Sequence, residues 1–156
     1  MVRATRTSGA ATDIFELLQQ DHQRIRALFK QIQGTSERSL PDRVALFSEL
    51  RDELSAHAHA EQDTFYHALL ERVKKRDAIL EAYEEHAVAE MLLADLETCE
   101  PDDERWMAKL SVLHEMVDHH VEEEESEIFR EARKILSEQE ATELAEAMRM
   151  RKAEEL

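Results

Sequence analysis

The chain has 156 residues, of which 20 are basic and 36 acidic, giving a formal charge of −16 with histidine neutral, and 42 % are hydrophobic. That apolar share is too high for a disordered chain and sufficient at this length for one buried core, while the acidic excess repels phosphate backbones and anionic headgroups and so argues against nucleic-acid and membrane-surface partners. A single cysteine, Cys99, allows no intrachain disulfide, and no apolar run reaches signal-peptide or membrane-span length, so a soluble cytoplasmic protein is expected.

Two glycines and two prolines in the whole chain, set against abundant Ala, Leu, Glu and Arg, indicate an all-α fold. Residues 1–12 show no periodicity and read as a flexible tail. Asp13, with Glu16 three residues on, has the pattern of a capping box and opens a first helix over about 13–33, for which Gly34 is the expected stop. Pro41 suits a first helical turn and starts a second helix. No glycine or proline follows until Pro101, and a single helix of about 60 residues would be about 90 Å long. A turn is therefore hidden in that stretch. Lys74-Lys75-Arg76 suits the C-terminal end of helix two, and Asp77 the cap of helix three. Pro101 with Asp102 and Asp103 restarts the chain for a fourth helix over about 102–136. Ser137 and Glu140 form another capping box, opening a fifth helix within 137–156 that places Ala141, Leu144, Ala145 and Met148 on one side. Four long helices with short connections predict an antiparallel up-down four-helix bundle over 13–136, with the fifth helix capping or flanking it.

The stripes that should face the core are not uniformly apolar. Helix two presents Phe47, Leu50, Leu54, His57, Glu61 and Phe65 on one side, and helix four presents Leu110, Leu113, Val117, His120, Glu124 and Ile128. Helix one sets His22 between Leu18 and Ile25, and helix three sets His86 among Tyr83, Ala89 and Leu93. Burying imidazoles and carboxylates without partners costs several kcal/mol, and a metal ion is an effective partner for such groups. The spacings repeat: 64 residues from His22 to His86, and 63 both from His57 to His120 and from Glu61 to Glu124. A duplicated helical hairpin with two half-sites about a pseudo-twofold axis follows, and two half-sites imply two metal ions.

Asp21-His22, His57-x3-Glu61 with Phe65-Tyr66, Glu85-His86, and His120-x3-Glu124 with Ile128-Phe129 together resemble the hemerythrin-like HHE cation-binding family across about 13–136. The resemblance implies two non-haem iron ions bridged by carboxylates and an oxo or hydroxo group. His22, His57, His86 and His120 would supply terminal nitrogens, and Glu61 and Glu124 the bridges. Imidazole with carboxylate suits iron, or manganese, and the lack of paired thiolates argues against structural zinc or an iron–sulfur cluster. Oxygen-carrying members have a second histidine one turn beyond the third-helix ligand, where this chain has Glu90. Glu90 is thus either a further ligand or a boundary carboxylate, and the expected chemistry shifts from reversible oxygen carriage toward sensing or detoxifying oxygen, peroxide or nitric oxide. Catalytic turnover, as in a catalase-like reaction, and an iron- or oxygen-responsive sensor or storage module are both open on the sequence, as is the oligomeric state.

The remaining histidines are weaker candidates. His59, His67 and His114 fall off their stripes and are expected in solvent. Val112, Met116, His119 and Glu123 form a rival stripe, but the longer apolar run and the duplication favour His120 and Glu124. Tyr83, three residues before His86, is expected to point inward, where a phenol either packs or approaches ferric iron. Met148 and Met150 are assigned to packing.

Overall fold

The computed structural model describes residues 11–156. Helix α1 spans Ile14–Gln33, with the Asp13 side chain accepting from the Glu16 N–H at 2.9 Å. The Glu16 carboxylate closes the box one residue early, accepting from the Thr12 N–H and hydroxyl rather than from Asp13. Gly34 ends the helix at φ −80°, in the right-handed region. Its freedom from a β-carbon is therefore not what stops α1; the Thr35 hydroxyl and N–H take up the Ile32 carbonyl instead. Of the tail expected at 1–12, residues 1–10 lie outside the described residues, whereas Ala11 is buried with its carbonyl accepting from Arg149.

A short 3-10 turn at Glu37–Ser39 leads into α2, which runs through Leu40–Glu61, a π-helical turn at Gln62–Tyr66 and a final stretch at His67–Leu70. The hidden connection falls at 71–76, next to the basic cluster, and α3 (Asp77–Thr98) begins with Asp77 as its first residue and Arg76 in the cap position. Helix α4 comprises Trp106–Glu123, a second π-helical turn at Glu124–Ile128, and Phe129–Ile135. It starts later than the expected 102 because the Asp103 carboxylate accepts from the Arg105 N–H at 2.8 Å and holds the preceding residues in turns. Helix α5 (Glu138–Ala153) has the full capping box of Ser137 and Glu140.

The architecture is an all-α antiparallel bundle of α1 to α4, with α5 laid along α1 and α2. Its core is in two parts. One packs Ile25, Phe29, Leu50, Leu93, Trp106 and Leu113 at one end. The other packs Ile14, Leu18, Phe65, Leu69, Ile79 and Phe129, with Ala141 and Met148 of α5 sealing it. At the first end, buried Arg43 ties the loops together, donating to the Thr35 hydroxyl, the Thr35 carbonyl and the Pro101 carbonyl, with its guanidinium over Trp106. Between the two apolar parts lies a layer of buried histidines and carboxylates, and that layer is the site.

Candidate metal centre

Each of the four bundle helices delivers one buried histidine to this layer: His22 from α1, His57 from α2, His86 from α3 and His120 from α4. Glu61 and Glu124, both fully buried, enter from α2 and α4, four residues after the histidine on the same helix. Two sets of ligating atoms result. His22, His57, Glu61 and Glu124 form one, and Glu61, His86 and His120 form the other, with the atoms of each set within 4.8 Å of one another.

Glu61 belongs to both sets through different oxygens. Its Oε2 lies 3.6 Å from His57 Nε2, and its Oε1 lies 3.2 Å from His86 Nε2 and 4.0 Å from His120 Nε2. Glu124 faces His22 Nε2 at 3.1 Å through Oε1 and His120 Nε2 at 3.6 Å through Oε2. All four Nε2 atoms point inward. The imidazoles meet edge-on in pairs, His22 with His57 at 5.1 Å between centroids and His86 with His120 at 4.8 Å, as the duplication requires.

The outward nitrogens are held from behind, again in duplicate. Asp21, just before His22, faces His57 Nδ1 at 2.8 Å; Glu85, just before His86, faces His120 Nδ1 at 3.0 Å. Gln62, just after Glu61, faces His86 Nδ1 at 2.7 Å; Glu125, just after Glu124, lies 3.8 Å from His22 Nδ1. A partner on Nδ1 fixes the tautomer and aims the Nε2 lone pair at the centre, which is how metal-binding histidines are held.

Several of the innermost atoms are left over. Outward-facing His22 Nδ1, 3.8 Å from Glu125, makes no hydrogen bond; inside, His22 Nε2, both Glu61 oxygens and Glu124 Oε1 are buried without hydrogen-bond partners, even where nitrogen and oxygen lie near 3 Å. These atoms converge on common points instead of on one another. Burial opposes charge on His22 and His120, but the surrounding carboxylates outweigh it and raise His22 to about 9 and His120 to about 10. Burial likewise opposes ionisation of Glu61, yet the facing histidines hold its carboxyl well below the usual range. Burial opposes ionisation of Asp21 too, and His57 with Lys152 more than offsets it. Without a cation His22 and His120 are thus held protonated, and Glu61 and Asp21 ionised. A metal bound by neutral imidazoles and carboxylates would use the same atoms.

Two further features shape the centre. A π-helical turn follows Glu61 and another begins at Glu124, and such turns, which carry one extra residue, are common at functional sites. The turn after Glu61 brings Tyr66 inward, where its hydroxyl donates to Glu124 Oε2 and lies 3.4 Å from His120 Nε2. Burial and the nearby carboxylates push the Tyr66 phenol well above its ordinary pKa. Beside the histidines lies a cavity of about 30 Å³, walled largely by Ile25, Leu54, Leu93, Val117 and Val121.

Other sequence candidates fall outside the cluster. Glu90 lines the cavity, but its 48 % exposed carboxylate pairs with His59 at 2.5 Å and belongs to neither ligand set. His119 is 64 % exposed and pairs with Glu123 at 3.1 Å, so the buried register on α4 is that of His120 and Glu124. Tyr83 donates to the Gln62 carbonyl at 3.3 Å instead of reaching the layer. His67 is in solvent as expected. His114 instead stacks on Phe29 at 4.5 Å, and His59 bridges Glu90 and Glu155.

The family model for the hemerythrin HHE cation-binding domain matches residues 13–132. The chain belongs to the hemerythrin HHE cation-binding domain family. A solved structure of an HHE cation-binding domain-containing protein from Mycobacterium kansasii superposes with a TM-score of 0.81 at 26 % identity, covering 93 % of this chain and 88 % of that one. A DNA nickase from Nostoc sp. is 26 % identical over 126 residues, 80 % of this chain. The match spans only 35 % of the nickase's length. The His/Glu layer is the candidate metal-binding cluster of this HHE domain. Among the described residues, no helix is long and apolar enough to cross a membrane.

Sequence reasoning did not assign Asp21, Glu85, Gln62, Glu125 or Tyr66 to the site. The first four had a signal: each adjoins a candidate ligand, and each pair repeats at the duplication spacing. Tyr66 appeared only within the Phe65-Tyr66 element of the resemblance, without a role, because a 3.6-residue period places it off the stripe of Glu61, and only the wider turn carries it inward.

Proposed function

We propose that this centre holds two iron ions and that the protein binds or reacts with a small oxidant: oxygen, peroxide or nitric oxide. The reading rests on one observation, that Glu61 is buried with two free oxygens, each turned to a different set of histidines. That is the arrangement of a bridge between two cations. Four imidazoles with two carboxylates suit iron, and manganese fits the same donors. Bound there, a pair of such ions supplies one-electron redox chemistry toward a small ligand.

The chain's own residues do the rest. His22, His57, His86 and His120 hold the ions through Nε2, and Asp21, Gln62 and Glu85 keep the rings of His57, His86 and His120 turned inward. The apolar walls at Leu54, Leu93 and Val117 exclude bulk water, and a cavity of about 30 Å³ favours a molecule of two to four atoms over a larger substrate. The Tyr66 hydroxyl, held protonated, keeps a donor beside Glu124 and His120. Nicking of DNA is not part of this proposal, since the charge of −16 opposes a phosphate backbone.

Anaerobic purification with metal quantification, followed by spectra on adding oxygen, peroxide and nitric oxide, tests the reading. Two iron ions per chain and a spectral change with at least one of these ligands are expected. Protein that binds no metal, or whose spectrum ignores all three, refutes it. A sensor without turnover is the second reading, favoured by the position of the ligands between the two halves of the core, where metal loss must affect stability. Oxygen release from peroxide points to turnover; unfolding on chelation without it points to the sensor.

A further inference from the structure

The two halves of the centre repeat each other in ligands, but α5 lies along α1 and α2. Its last turn sends Lys152, 15 % exposed at the side chain, between two buried carboxylates, Asp21 and Glu53. Lys152 Nζ donates to Asp21 Oδ1 at 2.9 Å, and also to Glu53 Oε1. The other Asp21 oxygen, Oδ2, faces His57 Nδ1 at 2.8 Å. A continuous chain of charge-assisted bonds therefore runs from the appended helix through Asp21 to a ligand of the first metal position.

The equivalent carboxylate in the second half is Glu85, 3.0 Å from His120 Nδ1 and 22 % exposed at the side chain. Among the described residues its ion-pair partner is His120, with exposed His119 nearby and no lysine or arginine in that place. The difference follows from the fold. Helix α5 lies along α1 and α2, and the α3–α4 hairpin has no matching helix to supply a cation.

We propose that the two metal positions are held unequally and that Lys152 is the positioning residue responsible, locking Asp21 against His57 so that the ion at His22 and His57 leaves more slowly than the ion at His86 and His120. This rests on the reading that the centre binds two ions. A carboxylate fixed by a buried cation holds the imidazole in one orientation, whereas the partly exposed Glu85 can turn to water and release its ring. Replacing a group that orients a ligand changes metal affinity by about 10- to 100-fold. Lys152, one bond further out, belongs at the lower end of that range.

The test is release of two equivalents of anaerobically loaded Fe(II) into excess chromogenic chelator, followed by absorbance. Wild-type protein is expected to release its ions in two phases. Lys152→Met should accelerate the slow phase about ten-fold and leave the fast phase unchanged, and Glu85→Gln should alter only the fast phase. Should Lys152→Met alone fold poorly, Lys152→Met/Glu53→Gln removes the buried Glu53 charge, which Lys152 no longer pairs and which Arg24 faces only from outside at 3.4 Å, and carries the same expectation. A single wild-type phase, variant rates equal to wild type, or equal acceleration of both phases as general loosening would produce, each overturns the proposal. Two ions with any of these patterns leave the di-iron reading standing; a chain that takes up no metal refutes both.

Discussion

Glu61→Gln isolates what the shared carboxylate does. The amide keeps the shape and removes one negative charge from a fully buried position that faces His57, His86 and His120. The ligating atoms lie within 4.8 Å of one another, so a bound cation sits no more than about 4 Å from that charge. At an effective dielectric of about 20, a unit charge pair at 4 Å is worth about 4 kcal/mol, and each ion carries at least two charges, so the loss is at least about three orders of magnitude in affinity for each ion. The loss applies to both positions, because Glu61 belongs to both sets. Elemental analysis after equilibration against a chelator-buffered metal series reads it out, with Glu90→Gln as a control whose carboxylate is exposed and tied to His59. Glu61→Gln should hold neither ion at free-metal concentrations that fill the wild type, and Glu90→Gln should hold both. Wild-type occupancy in Glu61→Gln, or loss in Glu90→Gln, would refute the assignment of Glu61 as the bridge.

Proton bookkeeping gives a second prediction. With pKa values raised to about 9 for His22 and about 10 for His120, both rings are protonated at pH 7 in the metal-free chain, so metal uptake should release about two protons, measurable by calorimetry in buffers of different ionisation enthalpy. The same shifts set the sign of metal-free stability: the contribution of these histidines is complete below about pH 6.5 and is lost as pH rises through 9 to 10, while that of Glu61, whose pKa is lowered, is lost on acidification below its ordinary range. Thermal melts of the metal-free protein should therefore be highest in mildly acidic buffer and fall toward pH 10. Tyr66→Phe should change the absorption spectrum of the iron-loaded protein, whereas Tyr83→Phe, which removes only a bond to the Gln62 carbonyl, should not. Ala89→Val adds bulk to the cavity wall and should cost about 1–3 kcal/mol by overpacking. It should slow the spectral response to peroxide while metal content stays at the wild-type level; an unchanged rate would mean that this cavity is not the route.

Much of this fold was legible because its determinants are local. Asp13, Ser137 and the paucity of glycine and proline mark helices whatever their neighbours do, and the 3.6-residue stripes on α2 and α4 carried His57, Glu61, His120 and Glu124 to the buried side where the structure places them. On α4 the longer apolar run and the duplication, rather than the period itself, turned Glu123 and His119 outward, where the structure has them. What escaped depends on tertiary structure. The π-helical turns leave no compositional mark, so Tyr66 was hidden and Tyr83 stood in its place. His114 found an aromatic face on another helix, and a helix pattern does not report which faces adjoin. Lys152 lies 131 positions from Asp21, and only the path of α5 across α1 and α2 brings them together.

The division of the core has a bearing on cooperativity. Oily side chains propagate order to one another by contact, but here the two apolar clusters are interrupted at mid-height by a slab of charge. Occupied, the slab rivets the hairpins together and makes the bundle melt as one body. Stripped of its cations it becomes a seam, along which the end built from Phe29, Leu50 and Trp106 and the end built from Ile14, Phe65 and Phe129 can open at different free energies, a separation that amide hydrogen exchange resolves residue by residue.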